Sequence, residues 1–246
     1  MLITPYDLLL PEGEPATLDV EIERRWLTFI DPPIADLDVE LEGVGRARTG
    51  PDGIASFDLG KLPVGTHRFK VKTPRKPPEA LVRIVERETP IVVVDIDHTI
   101  ADVSPQGFIF RKVQNVRPVL GSREALAELA KSMQILYLTA RDHIFTRKTK
   151  LWLRAAEFPE APVYLRKGTR FWSASPQDHK IERLKEVRGR FPNIPFGVGD
   201  KSGDAMAYTA HGIRPILISP TRPLGVTSDV PVLADWPAIL DHIKKG

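Results

Sequence analysis

The stretch Ile91-Val-Val-Val-Asp95-Ile-Asp97-His-Thr99 joins a continuous apolar run to two acids directly after it. Such a run is typical of a parallel strand covered on both faces of its sheet. Side chains two positions apart point the same way at the end of a strand, so Asp95 and Asp97 could reach one site. Two buried carboxylates need a cation or a proton between them. The pattern predicts a metal site or an acid-base pair, unless both acids are solvated turn residues.

After this stretch, apolar runs alternate with helical patterns, which predicts an α/β doubly wound parallel sheet. Ligands of such sheets bind at the carboxyl ends of the strands. Ser122 is the predicted N-cap of one helix, and Ser175 opens another. The further strands are predicted at 135–139, 163–165, 194–199 and 213–218, and the helices at 122–133, 142–158, from 175, from about 204 and at 233–245.

The residues before this sheet are predicted to form a separate small all-β sandwich. Apolar and polar residues alternate at 18–23 and 37–42, and Gly50-Pro-Asp-Gly53 is a strong turn signal. The segment 49–71 resembles the transthyretin-like and bacterial immunoglobulin-like modules. We therefore predict a sandwich at 1–88 and an α/β catalytic domain at 89–246.

Composition excludes several kinds of protein. The 246 residues include no cysteine, so disulfides, thiolate zinc sites, cysteine nucleophiles and iron–sulfur clusters are impossible. No apolar run reaches membrane-spanning length and the start lacks a basic region, so we expect a cytoplasmic protein. Residues 1–89 carry 12 basic and 16 acidic side chains, whereas 90–246 carry 23 and 16. The basic second part favours an anionic substrate.

Three later segments could complete the site of Asp95 and Asp97. Thr139-Ala140-Arg141 offers a hydroxyl and backbone N–H groups to a phosphate at the end of the second strand, although Thr139 could equally cap a helix. Lys180 lies early in the helix from 175, where a lysine is usually exposed. Gly199-Asp200-Lys-Ser-Gly203-Asp204 places two acids after the fourth strand, in a loop whose glycines permit a tight turn.

Together, these segments resemble the motifs of the haloacid dehalogenase (HAD) superfamily of phosphotransferases, over residues 90 to about 220. The first motif, D-x-D-x-[TV], is met at 95–99, and the fourth, G-D-x-x-x-D, at 199–204. Thr139 matches the second motif and Lys180 the third. The implied fold is a HAD-like Rossmannoid. The spacing between motifs leaves no room for a large cap, and members without caps generally accept bulky substrates.

The resemblance implies a role for each residue. Asp95 would be the nucleophile that forms an aspartyl-phosphate, and Asp97 the general acid and base. Thr139 and Lys180 would be catalytic and bind the phosphoryl oxygens. Ile96, Ala140 and Arg141 complete the expected substrate-binding set. The expected cofactor is Mg²⁺, with the ligands Asp95, Asp97 (through its backbone carbonyl), Asp200 and Asp204.

Within the superfamily, the motifs are most similar to those of the lipin-type and related phosphatidate phosphatases. The segments Asp95-Ile-Asp-His-Thr-Ile, Leu136-Tyr-Leu-Thr-Ala-Arg and His179-Lys-Ile-Glu-Arg-Leu carry this resemblance. His98 departs from it, because glycine or aspartate is usual there, and we interpret it as a spacer. The implied substrate is phosphatidate or another bulky phosphomonoester, with peripheral membrane contact.

Two alternatives remain open: a polynucleotide 3′-phosphatase, and an anionic-lipid-binding module on an inactive phosphatase fold. Residues 141–170 hold eight basic side chains and three acids, and aromatic residues lie among or near them. This segment could form an anion-binding rim suited to a lipid surface or to a nucleic acid strand. It could equally be a solvated helix face with Trp152 in the core. The basic side chains are Arg141, Arg147, Lys148, Lys150, Arg154, Arg166, Lys167 and Arg170, and the aromatic ones Trp152, Tyr164, Phe171 and Trp172.

Overall fold

The computed structural model describes residues 1–24, 32–74, 76–167 and 176–245, with no side-chain description for 176–177. These residues divide into two compact units. One comprises residues 1–87 and Lys167, and the other comprises 88–166 and 176–245. Within the described ranges, no helix combines the length and apolar character that crossing a bilayer requires.

The first unit consists of short strands around one apolar core. Strands β1, β3 and β6 pair antiparallel, as do β4 with β5 and β7 with β8, whereas β2 runs parallel to β8. The strands are β1 (Leu2–Pro5), β2 (Leu8–Pro11), β3 (Pro15–Glu23), β4 (Asp38–Leu41), β5 (Gly45–Arg48), β6 (Ile54–Lys61), β7 (Gly65–Lys70) and β8 (Glu79–Val85). Assignment to a sandwich of the transthyretin-like or immunoglobulin-like class stays a prediction.

The turn before β6 depends on Gly53. Its backbone is left-handed at φ 76°, and its N–H donates to the carbonyl oxygen of Gly50 at 2.9 Å. An added β-carbon would lie 2.7 Å from the carbonyl oxygen of Ile22. Only glycine meets both conditions without strain.

The second unit is built on a six-stranded parallel sheet in the order β11-β10-β9-β12-β13-β14. From β9 the chain moves outward to β11 in one direction, and from β12 to β14 in the other. The strands are β9 (Ile91–Val94), β10 (Gln134–Asp142), β11 (Val163–Arg166), β12 (Phe196–Gly199), β13 (Arg214–Ile218) and β14 (Val232–Leu233). The predicted α/β parallel sheet is confirmed.

Helices flank this sheet and cover an apolar core. All four residues of β9 are fully buried, as their unbroken apolar run predicts for a central strand. The helices are α1 (Pro105–Phe110), α2 (Ser122–Leu129), α3 (Thr146–Ala155), α4 (Pro176–Arg190), α5 (Ser202–Thr209) and α6 (Trp236–Lys245), with 3₁₀ turns at Val113–Asn115 and His143–Phe145.

Two local predictions are wrong and one cannot be compared. Gly121, at φ 79°, occupies the N-cap of α2, and the Ser122 hydroxyl instead donates to the carbonyl oxygen of Val119. The helix expected at 142–158 is a 3₁₀ turn followed by the shorter α3, because the Asp142 carboxylate caps the turn by accepting from the Ile144 N–H. Ser175, the expected start of α4, lies outside the described residues.

Gly197 allows β12 and α5 to approach closely. A β-carbon on Gly197 would lie 2.5 Å from the ring of Tyr208. We therefore expect Gly197→Ala to lower the free energy of unfolding by about 1–3 kcal/mol, as overpacked cores do. Urea denaturation measures this.

The matched control is Gly189→Ala in α4, where an added β-carbon meets nothing within 4 Å. It should raise the free energy of unfolding by up to about 1 kcal/mol, since alanine favours helix more than glycine does. Equal stability of Gly197→Ala and the parent chain would contradict the close packing.

Candidate functional site

The predicted site residues meet at the carboxyl ends of the central strands. Asp95 and Asp97 follow β9, Thr139 lies in the second half of β10, and Asp200 follows β12. The direction of winding changes between these strands, and such a switch point leaves a crevice for ligands. The Asp95 N–H donates to the carbonyl oxygen of Val198 at 2.9 Å, which fixes the start of the acidic loop against β12.

Lys180 connects two of the acids. Its amine lies 2.8 Å from Asp95 Oδ1 and 2.5 Å from Asp204 Oδ1. All three side chains are almost fully buried, and Lys180 is 2% exposed. The usual exposure of a helical lysine therefore does not apply here, because its charge is matched by carboxylates inside the protein.

Asp204 also holds the acidic loop in place. Its Oδ2 accepts from the backbone N–H groups of Asp200 at 3.1 Å and Lys201 at 3.3 Å. A β-carbon on Gly199 would lie 2.4 Å from the Asp204 β-carbon. Gly199 is therefore needed for the close approach of Asp204 at the end of β12.

Burial and mutual repulsion shift the pKa values of the acids in this cluster. For Asp95, burial is the largest influence, Lys180 opposes it, and the pKa is raised to about 6. Burial and then the charges of Asp95 and Asp204 raise the pKa of Asp200 to about 7. Burial also acts to raise the pKa of Asp204, but the charge and hydrogen bond of Lys180 help to lower it overall. Negative charge in this cluster thus exceeds what Lys180 balances.

The residues present fit a divalent cation. One carboxylate oxygen each from Asp95, Asp200 and Asp204 lies within 4.8 Å of the others. Asp200 Oδ1 is shielded from solvent and has no hydrogen-bond partner in the part of the chain that the structure describes. Carboxylate oxygens are the donors that Mg²⁺ prefers. Asp97 adds no carboxylate oxygen to this group.

Asp97 is instead held by Arg141 and Thr139. Arg141 Nη2 donates to Asp97 Oδ1 at 2.8 Å, and Nε lies 3.0 Å from Oδ2. The Thr139 hydroxyl is 3.4 Å from Oδ2 and accepts from the Arg141 N–H at 3.3 Å. All three residues are buried. Thr139 thus belongs to a strand and orients an acid, so the helix-cap interpretation is wrong.

Sequence reasoning missed the groups that hold Arg141. Its guanidinium carbon lies 3.5 Å from the ring centroid of Phe108, and its Nη1 donates to the Thr149 hydroxyl at 3.2 Å. Phe108 is in α1 and Thr149 in α3, outside every recognised motif. The only available signal was that a buried arginine needs both a counter-charge and a partner for its remaining donors.

The other residues of the first two motifs shape the loop. The Ile96 side chain is fully buried and its carbonyl oxygen accepts from Ile100 and Ala101, whereas Ala140 is half-buried. His98 is exposed at φ 57°, and its N–H donates to the carbonyl oxygen of Ala101 at 2.9 Å. Glycine is common at such an angle. The position therefore requires a left-handed backbone and no particular side chain, which agrees with the interpretation of His98 as a spacer.

The predicted anion-binding rim is only partly present. Trp152 and Tyr164 are buried and cannot stack on a ligand, Arg141 pairs with Asp97, and Arg166 lies 3.3 Å from Asp142. Arg170, Phe171 and Trp172 lie outside the described residues, and Lys167 belongs to the first unit, 3.6 Å from Asp19. The remaining basic side chains are on α3: Arg147, Lys148, Lys150 and Arg154.

A parallel sheet with an acid cluster at its switch point defines an α/β protein with a candidate metal centre. The profile of the family described as "PITM 1-3, LNS2 domain" matches residues 92–218, which contain this sheet and cluster. The chain belongs to this family of LNS2 domains. No curated protein sequence matches the chain significantly.

Several solved structures are similar to about two thirds of the chain or slightly less. A haloacid dehalogenase-like hydrolase from Streptococcus pneumoniae has 14% identity and a TM-score of 0.44, with 63% of this chain and 98% of that chain covered. A HAD-superfamily hydrolase of subfamily IA from Geobacter sulfurreducens has 14% identity and a TM-score of 0.44, covering 63% and 96%. A phospho-aspartyl intermediate analogue of phosphoserine phosphatase has 12% identity and a TM-score of 0.45, covering 63% and 99%.

Removing Arg141 should leave Asp97 as an unpaired buried charge. We expect Arg141→Met to lower the free energy of unfolding by about 3 kcal/mol or more. The double variant Asp97→Asn/Arg141→Met should recover part of this loss, because the charge is then removed as well. Chemical denaturation of both variants measures the coupling.

Arg123→Met is the control for Arg141→Met. Arg123 is half exposed and pairs with Glu124 and Glu157 on the surface, where such pairs contribute about 1 kcal/mol or less. Equal effects at Arg123 and Arg141 would contradict the buried ion pair.

The raised pKa values of Asp95 and Asp200 predict that these two acids stabilise the metal-free protein less as pH rises, whereas the lowered pKa of buried His179 acts in the opposite direction. Asp95 and Asp200 have folded pKa values of about 6 and about 7, above 3.8 for an ordinary aspartate. The folded state therefore binds protons more tightly than the unfolded state, and this stabilisation is lost as pH rises from about 4 to about 7. Denaturant midpoints measured across this range with a chelator present test the slope.

Asp200→Asn should flatten this slope, since asparagine cannot titrate. Asp241→Asn, at an exposed position in α6, should leave it unchanged. An unchanged slope in Asp200→Asn would be incompatible with the raised pKa of Asp200.

Proposed function

We propose that the chain is a Mg²⁺-dependent phosphomonoesterase that acts through an aspartyl-phosphate on Asp95, with phosphatidate as the first-choice substrate. One observation carries this proposal: Asp95 lies in a cluster with Lys180, Asp200 and Asp204, beside the separately held Asp97. Its motifs resemble those of the haloacid dehalogenase superfamily. The resemblance to lipin-type phosphatases implies phosphatidate as the substrate, and membership of the LNS2 family is consistent with such a lipid.

Asp95 is the proposed nucleophile and would attack phosphorus. The attack forms a bond from an Asp95 oxygen to phosphorus and breaks the bond to the leaving oxygen. The Lys180 amine lies 2.8 Å from Asp95 Oδ1 and would orient that carboxylate and balance negative charge as the phosphoryl group approaches. A bound Mg²⁺, held by Asp95, Asp200, Asp204 and the Asp97 backbone carbonyl, would supply further positive charge for the phosphate oxygens.

Asp97 is proposed to move the protons. It would donate one to the leaving oxygen, and later accept one from the water that hydrolyses the aspartyl-phosphate. Arg141 and Thr139 fix the position of its carboxyl group through the contacts described above. Ile96, Ala140 and Arg141 would border the phosphoryl group at the ends of β9 and β10, with Thr139 binding one of its oxygens.

The first test is turnover of an aryl phosphate with added Mg²⁺ and with a chelator. Asp95→Asn should lower kcat by about a thousandfold or more, because an amide does not act as the nucleophile. Its fold should persist, since asparagine retains the shape of the side chain; circular dichroism checks this. Asp241→Asn is the control and should keep the parent activity.

The outcomes separate the candidate functions. No turnover by the parent chain with any divalent cation would overturn the enzyme proposal, and phosphatidate binding without turnover would identify an anionic-lipid-binding module. Preference for a 3′-phosphorylated oligonucleotide over phosphatidate would identify the polynucleotide 3′-phosphatase. Preference for small sugar phosphates would contradict the inference of a bulky substrate.

A further inference from the structure

We propose that α1, the 3₁₀ turn after it and the outer side of α3 form a face that docks on an anionic lipid bilayer, with Ile109 and Phe110 entering the headgroup region. We call this the α1/α3 face. The proposal rests on the proposed function only in that docking would bring lipid substrate to the acid cluster. All of its residues belong to the second unit.

The α1/α3 face exposes large apolar side chains. Phe110 is 87% exposed, Ile109 is 39% exposed, and Leu151 on α3 is 46% exposed. Phe108 of the same helix is buried, so α1 packs one side against the core and turns the other to solvent. Full burial of one such side chain contributes about 1.5–3 kcal/mol. Ile109 and Phe110 are two adjacent exposed apolar side chains at the end of α1, and they therefore favour a partner with an apolar interior.

Positive charge surrounds these apolar side chains. Arg111 and Lys112 directly follow Phe110 and are exposed. On α3, basic residues recur three and four positions apart, which places them along one side of the helix: Arg147, Lys150 and Arg154. Residues 103–117 and 143–156 contain no acid. A surface of this charge complements anionic headgroups, at about 1 kcal/mol for each basic residue near the bilayer.

Direct contacts hold α1 against α3. Lys148 on α3 donates to the backbone carbonyl oxygens of Phe108 at 2.5 Å and Ile109 at 3.0 Å. The Trp152 indole N–H donates to the carbonyl oxygen of Val116 at 3.0 Å. These contacts fix the two elements to each other, so their exposed apolar and basic side chains belong to neighbouring parts of the second unit.

The α1/α3 face adjoins the proposed catalytic residues. The ring of Phe108 lies 3.5 Å from the Arg141 guanidinium carbon, and Arg141 holds Asp97. Phe108 and Arg141 thus lie between the exposed part of α1 and Asp97. A bilayer seated on this face would present its headgroups close to the ends of β9 and β10.

A bilayer fits the α1/α3 face better than a nucleic acid does. Strand binding uses aromatic planes on which bases stack, whereas the exposed apolar side chains here are mainly aliphatic, and Trp152 is in the core. Apolar tips flanked by arginine and lysine are the composition of segments that lie in a membrane interface.

Vesicle co-sedimentation of the full chain tests the proposal. The vesicles are phosphatidylcholine alone, or phosphatidylcholine with phosphatidylserine, which is not a phosphomonoester. We expect binding only to the anionic vesicles. Ile109→Ser/Phe110→Ser should weaken that binding by about tenfold or more, from the lost apolar insertion, and Arg147→Glu/Arg154→Glu should weaken it and reduce its dependence on salt.

The matched controls are exposed positions elsewhere in the second unit. Leu224→Ser replaces an apolar side chain that is 98% exposed, and Lys185→Glu reverses an exposed charge on α4. Both should bind vesicles like the parent chain. Turnover of a soluble aryl phosphate should be unchanged in every one of these variants, which shows that the catalytic site is intact.

The outcomes distinguish docking from catalysis. Loss of vesicle binding confined to the α1/α3 variants supports the docking face, even if the parent chain turns over no phosphomonoester. Unchanged binding in those variants overturns it, whether or not the chain is a phosphatase. Failure of the parent chain to bind any vesicle also overturns it. So does a result in which the α1/α3 variants weaken binding to an oligonucleotide and leave vesicle binding unchanged.

Discussion

The buried amine of Lys180 lies between Asp95 and Asp204, and the charge balance around it constrains the whole edge of the sheet. A lone lysine at this depth would lose its proton or unfold the surrounding structure. Burial first, and then repulsion among acids that outnumber the cations, raises the pKa values of Asp95 and Asp200. One more positive charge near these acids would balance the cluster, and a bound cation would supply it.

A second buried ion pair, between Arg141 and Asp97, lies beside the first and is formed by other residues. Arg141 neutralises Asp97, so this acid does not compete for Lys180. The two aspartates are two residues apart in sequence, yet each has its own cation, supplied by a different element. Because their environments differ, two neighbouring carboxylates can have different chemical properties.

Much of the second unit could be predicted from the sequence because its signals are local. The apolar run of β9 and the alternation after it predict the sheet, and strand ends predict which polar residues converge. The partners of Arg141 could not be predicted, because Phe108 and Thr149 follow no pattern and meet the arginine only through tertiary packing. Tyr164 showed the same limit, because composition placed it in a binding rim, whereas packing placed it in the core. For Trp152 the sequence left the rim and the core open, and packing places it in the core.

Asp204 combines two tasks that are usually separate. One oxygen receives the Lys180 amine, while the other accepts the backbone N–H groups where α5 begins. A substitution there would loosen the start of a helix and release a buried cation in the same event. Inherited or engineered changes at this residue would therefore reduce the amount of folded protein as well as its chemistry, and low abundance could conceal the chemical defect.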